Sequence, residues 1–510
     1  EAIRDPLWSR GLGDVYKRQL HMGHMLNNTI QDILIRRARL KGLNACWVPG
    51  TDHASIATEA KVVKMLKEKG IKKSDISRDE FLTYAWDWTE KHGGLILNQL
   101  KRIGCSCDWD RTKFTLDSDL SESVIDTFIK LFDEGYLYRD KKIVNWDPEA
   151  LTTLSNEEVI YKEEETKLFY LKYQIVESKD YLIVATTRPE TIFGDTAVAV
   201  NPNDNRYKNL KNKKLIVPLV GREVPIVFDS SVEIDFGTGC LKVTPAHSEK
   251  DFLIGKNNEL EIIDIFNDDA TINHHGKKYQ ALDRFEAKKQ IINDLTEQGL
   301  ISKTESYTHN IALSERTNSV VEPKLSLQWF IKMKKIAEPA INAVVSGDIK
   351  FYPKKYINTY KNWMENIRDW NISRQLYWGH RIPVYYLKND NSKFVISKNV
   401  KDALVKFKSE FNIELTVDDV EQDNDVLDTW FSSWLWPISV FDGIRNPSND
   451  DISYYYPTSD IVTGPDILFF WIARMIMSGY YFRDNKPCLL YTSDAADDMQ
   501  CVDLGGRRII

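Results

Sequence analysis

The sequence predicts an α/β protein, a doubly wound sheet interrupted by an inserted β-rich domain. Three observations predict it. From 22 to about 161, helical and strand-like patterns alternate, as a parallel sheet with crossover helices requires. From about 163 to 317 the pattern changes to short apolar runs separated by turn residues. From Glu322 the helical and α/β pattern resumes, which would complete the first sheet. The 510 residues suffice for about three domains, and a hydrophobic content of 42% supplies core for them.

Taken in order, Leu26, Ile30, Ile33 and Leu34 recur at helical spacing. Arg36, Arg37, Arg39 and Lys41 gather before Gly42, where the macrodipole favours cations and glycine ends a helix. Residues 43–48 read as a short apolar strand running into Pro49-Gly50-Thr51-Asp52-His53. A polar loop then sits at the carboxyl end of a parallel strand, where open sheets bind ligands. An amphipathic stretch at 119–137 and a loop at Asn145-Trp146-Asp147-Pro148 follow. In the insert, 182–185, 197–200, 215–220, 224–228 and 240–243 read as strands.

The net charge of −7 excludes a global basic field, so any nucleic-acid surface is a local patch. Six cysteines at irregular spacing make no disulfide framework and suit a reducing compartment, with the cytoplasm as the expectation. The most apolar run, 467–473, is broken by Arg474 and is too short to cross a bilayer. Residues 1–19 and 488–510 contain Ile3-Arg4-Asp5-Pro6-Leu7-Trp8-Ser9-Arg10 and Ser493-Asp494-Ala495-Ala496-Asp497-Asp498. These look like translated adaptor sequence, and both segments are read as non-native and set apart from the fold.

Leu20-His21-Met22-Gly23-His24 opens the first helix, and a helix N-terminus is where nucleotide phosphates dock. Five further blocks follow in order: Pro49-Gly50-Thr51-Asp52-His53-Ala54; Thr186-Thr187-Arg188-Pro189-Glu190-Thr191; Trp370-Asn371-Ile372-Ser373-Arg374-Gln375 with Trp378-Gly379-His380; Asp428-Thr429-Trp430-Phe431; and Thr463-Gly464-Pro465-Asp466-Ile467. Together, over about 20–487, they resemble the class I aminoacyl-tRNA synthetases of the valyl type. Relatives that activate isoleucine or leucine usually carry tryptophan where Thr51 stands and lack His53. This favours valine and leaves isoleucyl-type specificity as the alternative.

The resemblance implies a Rossmann-like catalytic domain, 20–162 and 318–487, interrupted by an editing domain at 163–317. It implies ligation of valine to tRNA(Val) through valyl-adenylate, with ATP and Mg2+ as the substrate complex, by a cytoplasmic monomer with no membrane span. His21, Gly23 and His24 match the ATP positions. Asp52 matches the position that holds the valine ammonium, for which a carboxylate is a fitting counter-ion. Trp430 and Ile467 match the lining of the side-chain pocket, with Asp466 and Trp471 supporting it.

An apolar pocket excludes isoleucine by size but cannot strongly reject threonine, a limit for which the valyl enzymes are themselves the standard case. Editing of threonyl-tRNA is therefore expected. By resemblance, Thr186, Arg188, Thr191, Lys242 and Asp251 form the hydrolytic pocket. Asp251 would anchor the ammonium, and the threonine and lysine side chains would read the substrate hydroxyl or the tRNA end. Ser248 stands where valyl enzymes commonly carry aspartate, so hydroxyl recognition is expected to be weaker or rearranged.

Many bacterial relatives carry zinc-binding cysteine pairs near the positions of 314–318. No cysteine occurs here between Cys240 and Cys488, so no structural zinc is expected. The lysine-rich loop that the family uses in adenylate formation is also missing, and Lys332-Met333-Lys334-Lys335 only mimics it. The chain as written is expected to be a truncated, impaired ligase, with an editing-only hydrolase or an RNA-binding fragment as the alternatives.

Overall fold

The computed structural model describes residues 22–464 and 467–483, together with the backbone of 489–492. They divide into two compact units, one of Glu1–Asp140 with Gln328–Ile510 and the other of Lys141–Leu327.

In the first unit the helix Met22–Leu40 forms, but it turns a different face inward from the one its apolar stripe suggests. Its buried residues are His24, Asn27, Asn28, Gln31 and Ile35, while Leu26 and Ile33 are 49% and 58% exposed. The buried stripe keeps the helical period and is rotated by one residue, about 100°. Two of its amide NH2 groups have partners inside: Asn27 Nδ2 donates to Val462 O at 3.3 Å and Asn28 Nδ2 to His24 O at 2.9 Å.

Residues 45–48 are buried as read, yet the ladder is confined to Gly50–Thr51, which pairs in parallel with Lys113–Phe114. Gly50 has no alternative. A Cβ there would stand 1.9 Å from a ring carbon of Trp436 and 2.9 Å from Lys113 O. The stretch read as amphipathic at 119–137 forms the helix Ser118–Asp133 and stops short of Leu137. Gly135, with φ 75°, turns the chain into the strand Leu137–Asp147. Around these elements Trp329, Trp370, Trp430, Trp434 and Trp471 share one core with Phe128 and Phe431.

In the second unit the strands Tyr181–Thr186, Ala197–Val200, Glu223–Phe228 and Cys240–Val243 form where short apolar runs alternate with turns. The run 215–220 shortens to Lys214–Ile216, because a turn at Val217 and Gly221, closed by a 2.9 Å backbone bond, ends it. Cys240–Val243 pairs antiparallel with Ala197–Val200, which pairs in parallel with Glu223–Phe228. The sheet continues through Lys214–Ile216 to the long strand Val159–Ile175, which pairs with both Tyr181–Thr186 and Ile301–Ser314. Position 163 lies inside that long strand, and the unit's own limits, 141 and 327, fall outside the 163 and 317 read from sequence. Among the described residues no helix is long and apolar enough to cross a membrane.

Gly50→Ala should lower the stability of the first unit by about 3 kcal/mol or more, since neither a packed indole nor a backbone carbonyl yields cheaply to a new methyl. A urea unfolding midpoint equal to the parent's would contradict the close approach.

Candidate functional site

In the first unit the loop after Gly50–Thr51 carries Asp52 and His53 and turns through Ala54, whose φ of 42° caps the helix Ser55–Glu68. His53 is fully buried. Its backbone N–H donates to Thr115 Oγ1 at 3.0 Å, and its Nδ1 lies 2.8 Å from the same oxygen. Its carbonyl accepts from Trp378 Nε1 at 2.7 Å and from Thr58 Oγ1 at 3.0 Å. The His380 ring meets it edge-on at 5.1 Å. Burial pushes both imidazoles down, His53 well below its ordinary value with His380 adding to the effect, and His380 to about 4. Buried Glu59 accepts from the N–H groups of Tyr377 and Trp378 at 2.8 and 2.9 Å and pairs with Lys73. One carboxylate thereby holds the 377–378 segment against the helix that follows the loop.

A second wall is organised by Asp428. Its carboxylate accepts from Arg374 Nη2 at 2.8 Å and from Trp370 Nε1 at 2.9 Å, and it caps the helix Thr429–Ser433 through Trp430 N at 3.2 Å. Arg374 and Asp428 are both buried. Trp430 stacks on Phe470 with centroids 5.1 Å apart and planes 16° apart. The Arg474 guanidinium lies over Trp430 at 4.7 Å and over Trp370 at 4.3 Å.

Ile467 and Trp471 are buried in the same core, Trp471 within the π-helical segment Leu468–Ala473. A 2.8 Å contact between Ser55 Oγ and Thr429 Oγ1 joins the segment after Asp52 to the one bearing Trp430. The Asn27–Val462 bond joins the helix bearing Gly23 and His24 to the strand leading to Ile467. His21 and Asp466 lie outside the described residues. Glu59 and Thr115 carry no sequence signal, being single polar residues whose partners are distant in the chain.

In the second unit Thr191, Lys242 and Asp251 come together with three residues to which the sequence assigned no role: Tyr173, Asp195 and Thr244. Lys242 Nζ lies 2.6 Å from Thr191 Oγ1, 2.5 Å from Thr244 Oγ1 and 3.0 Å from Asp195 Oδ1. Asp195 also accepts from Thr244 Oγ1 at 2.7 Å and Tyr173 OH at 2.6 Å. Asp251 accepts from Thr244 N at 2.9 Å. Burial raises the pKa of Asp251 above its ordinary 3.8, opposed by Lys242, Thr244 N–H and Ser248. Ser248 caps the helix Glu249–Asn257, its hydroxyl accepting from Asp251 N at 3.3 Å.

Thr186 ends its strand and accepts from Arg188 N at 3.0 Å. Arg188 itself is turned to Glu190 at 3.0 Å and Glu322 at 2.8 Å. Buried His247 accepts from Ile265 N through Nε2 at 3.1 Å, and burial, Arg188 and Lys242 push its pKa well down. The one visible hint of Asp195 is a polar residue at the head of the apolar run 197–200. Among the described residues no group of three or more His, Cys, Asp or Glu side chains is disposed to hold a metal ion.

The family model described as tRNA synthetases class I (I, L, M and V) matches residues 16–493, and the chain belongs to that family. A valine–tRNA ligase of Parabacteroides distasonis is 60% identical over 469 residues, covering 92% of this chain and 54% of that one. One from Bacteroides fragilis is 61% identical over 469 residues, covering 92% and 53%, and one from Clostridium tetani is 49% identical over 469 residues, covering 92% and 52%. The chain spans about half the length of the curated relatives it matches.

Because His380 is held near pH 4 in the fold against an ordinary 6.5, the unfolded chain binds more protons between those values. This contribution to stability is complete above 6.5 and is lost as the pH falls through about 4. Within that window the stability of the first unit should drop by about 1.4 kcal/mol per pH unit for such a histidine. Urea midpoints at pH 7 and 5 measure the slope, and His380→Gln should flatten it; a variant with an undiminished slope would contradict the assignment.

Proposed function

We propose that the chain belongs to an enzyme that activates valine with ATP, passes it to tRNA(Val), and clears threonyl-tRNA by hydrolysis. The observation that carries this reading is the contrast between two linings, each within its own unit. One is an indole wall of Trp430 and Trp370 beside the segments bearing Asp52 and His24. The other is a buried network of hydroxyls and carboxylates around Lys242. Apolar walls suit a valine side chain, and polar walls suit a threonine hydroxyl. Identity near 60% to valine–tRNA ligases supports the choice of amino acid.

In the synthetic step the valine carboxylate forms a bond to the α-phosphorus of ATP and pyrophosphate leaves, which requires both substrates held in line. Asp52 holds the ammonium. Gly23 permits close backbone approach, and the His24 imidazole meets the phosphates at the helix N-terminus. Magnesium arrives on the triphosphate, as is usual where phosphates supply most of its ligands. In the hydrolytic step water attacks the ester carbonyl of a misacylated tRNA end, with the Asp251 carboxylate on the ammonium. The threonyl hydroxyl meets Thr191 and Thr244, and Thr186 and Arg188, at the end of the strand that precedes Thr191, complete the pocket.

Asp52→Ala should weaken valine binding about 10-fold or more, as expected for loss of a charged partner, and leave ATP binding near the parent value. His24→Ala should do the reverse. Calorimetric titration with each substrate separates them, and valine affinity indifferent to Asp52 would remove the ammonium assignment.

Asp251→Ala should abolish hydrolysis of preformed threonyl- and valyl-tRNA alike. The carboxylate must be ionised to hold an ammonium, and burial raises its pKa. Parent deacylation should therefore be lost on acidification at a pH above that expected for an exposed aspartate. Clearance of threonyl-tRNA at the parent rate by the variant would overturn the editing reading.

A further inference from the structure

The hydroxyl protons of the pocket in the Lys141–Leu327 unit have fixed directions. A lysine ammonium has three donors and no acceptor, and those of Lys242 are all committed: Thr191 Oγ1 at 2.6 Å, Thr244 Oγ1 at 2.5 Å and Asp195 Oδ1 at 3.0 Å. Both hydroxyls must accept from it and turn their own protons elsewhere. Thr244 donates to Asp195 Oδ1 at 2.7 Å and Thr191 donates to Arg188 O at 3.0 Å. Tyr173 gives its proton to the other oxygen of Asp195 at 2.6 Å. Asp195 is wholly buried, so water does not compete for these bonds. Each threonine oxygen has two lone pairs, and Lys242 takes one. The cluster can therefore offer an incoming group one lone pair on Thr191, one on Thr244, and the Asp251 carboxylate. These are all acceptors.

We propose that Asp195 is a positioning residue for specificity. By holding Lys242 and the Thr244 proton it makes Thr191 and Thr244 obligate acceptors, so that the pocket selects aminoacyl groups whose side chain brings a hydrogen-bond donor. The inference rests on the hydrolytic reading of this pocket and adds the polarity of its recognition. A threonyl hydroxyl supplies the donor. A valyl methyl in the same place leaves desolvated lone pairs without one, which is costly. In Asp195→Asn the Lys242 ammonium loses the Asp195 charge in either orientation of the amide, and with the NH2 turned inward the acceptor shared by Lys242 and Thr244 is lost as well, which frees the Thr244 proton to reorient. Both arrangements erode the discrimination.

The test uses the full chain and three preformed esters on tRNA: threonyl, valyl, and 3-fluoro-2-aminobutyryl. In the last, fluorine replaces the hydroxyl, keeping the size and removing the donor. The parent should hydrolyse the fluoro ester at the valyl rate, about tenfold or more below the threonyl rate. Asp195→Asn should lower the threonyl-to-valyl ratio about tenfold. Tyr173→Phe should lower it less, since Asp195 keeps Lys242 and Thr244. A merely structural loss would slow both esters alike and leave the ratio unchanged.

A parent that clears the fluoro ester as fast as the threonyl ester overturns the inference without recourse to any variant. So does a cooperatively folded Asp195→Asn protein that keeps the parent ratio, and both results leave the hydrolytic reading standing. A parent that hydrolyses none of the three overturns that reading and the inference with it.

Discussion

Charge removed from water has to be met by a partner, and in each unit one such pair decides where the candidate site's side chains stand. In the first unit the pair is Arg374 and Asp428, both buried and 2.8 Å apart. The same carboxylate receives the Trp370 indole N–H and caps the helix that begins with Thr429, so the indole wall is hung from a single aspartate. In the second unit the pair is Lys242 and Asp195, 3.0 Å apart. A buried ion pair is weak evidence of net stability, because desolvation offsets most of the attraction. Removing one partner nonetheless typically costs about 3–5 kcal/mol. Such pairs therefore fix geometry more than they add stability, which is what a recognition site requires.

That constraint also explains why the two linings differ. Around Asp428 the remaining polar capacity is taken up by an indole and a helix N-terminus, and the surroundings are buried aromatic carbon with the Arg474 guanidinium over the Trp370 and Trp430 rings. Around Asp195 it is taken up by three hydroxyl-bearing or ammonium groups, and what remains is oxygen. Membership of the class I tRNA synthetases and the resemblance to valine–tRNA ligases give these two surfaces their proposed roles.

Much of the fold was legible because it rests on local signals. The strand Ala197–Val200 is a continuous apolar run, Cys240–Val243 is a short β-rich run broken only by Lys242, and the loop carrying Asp52 follows a largely apolar stretch. The inward face of the Met22–Leu40 helix was not legible. Its buried Asn27 is satisfied by the carbonyl of Val462, 435 positions away, and a hydropathy pattern counts such a residue as surface. Tyr173, Asp195 and Thr244 escaped for the same reason. Each is an ordinary polar residue until the fold brings positions 173, 195 and 244 to one point; pairing of Cys240–Val243 with Ala197–Val200 sets Asp195 beside Lys242 and Thr244, and the long strand Val159–Ile175 delivers Tyr173. Motif reading named Lys242, and of the three groups its ammonium meets, Thr191, Thr244 and Asp195, the first and last come from a segment distant in the chain.

The central claim is that the chain carries two amino-acid sites of opposite polarity, one in each unit. It is tested most directly by titrating the chain with a threonyl-adenosine analogue in which an amide replaces the ester, in the absence and presence of saturating valyl-sulfamoyl-adenosine. The account predicts that the threonyl ligand binds with the same affinity in both cases and is displaced by neither valine nor ATP. Competition between the two ligands would mean one shared site and would contradict it.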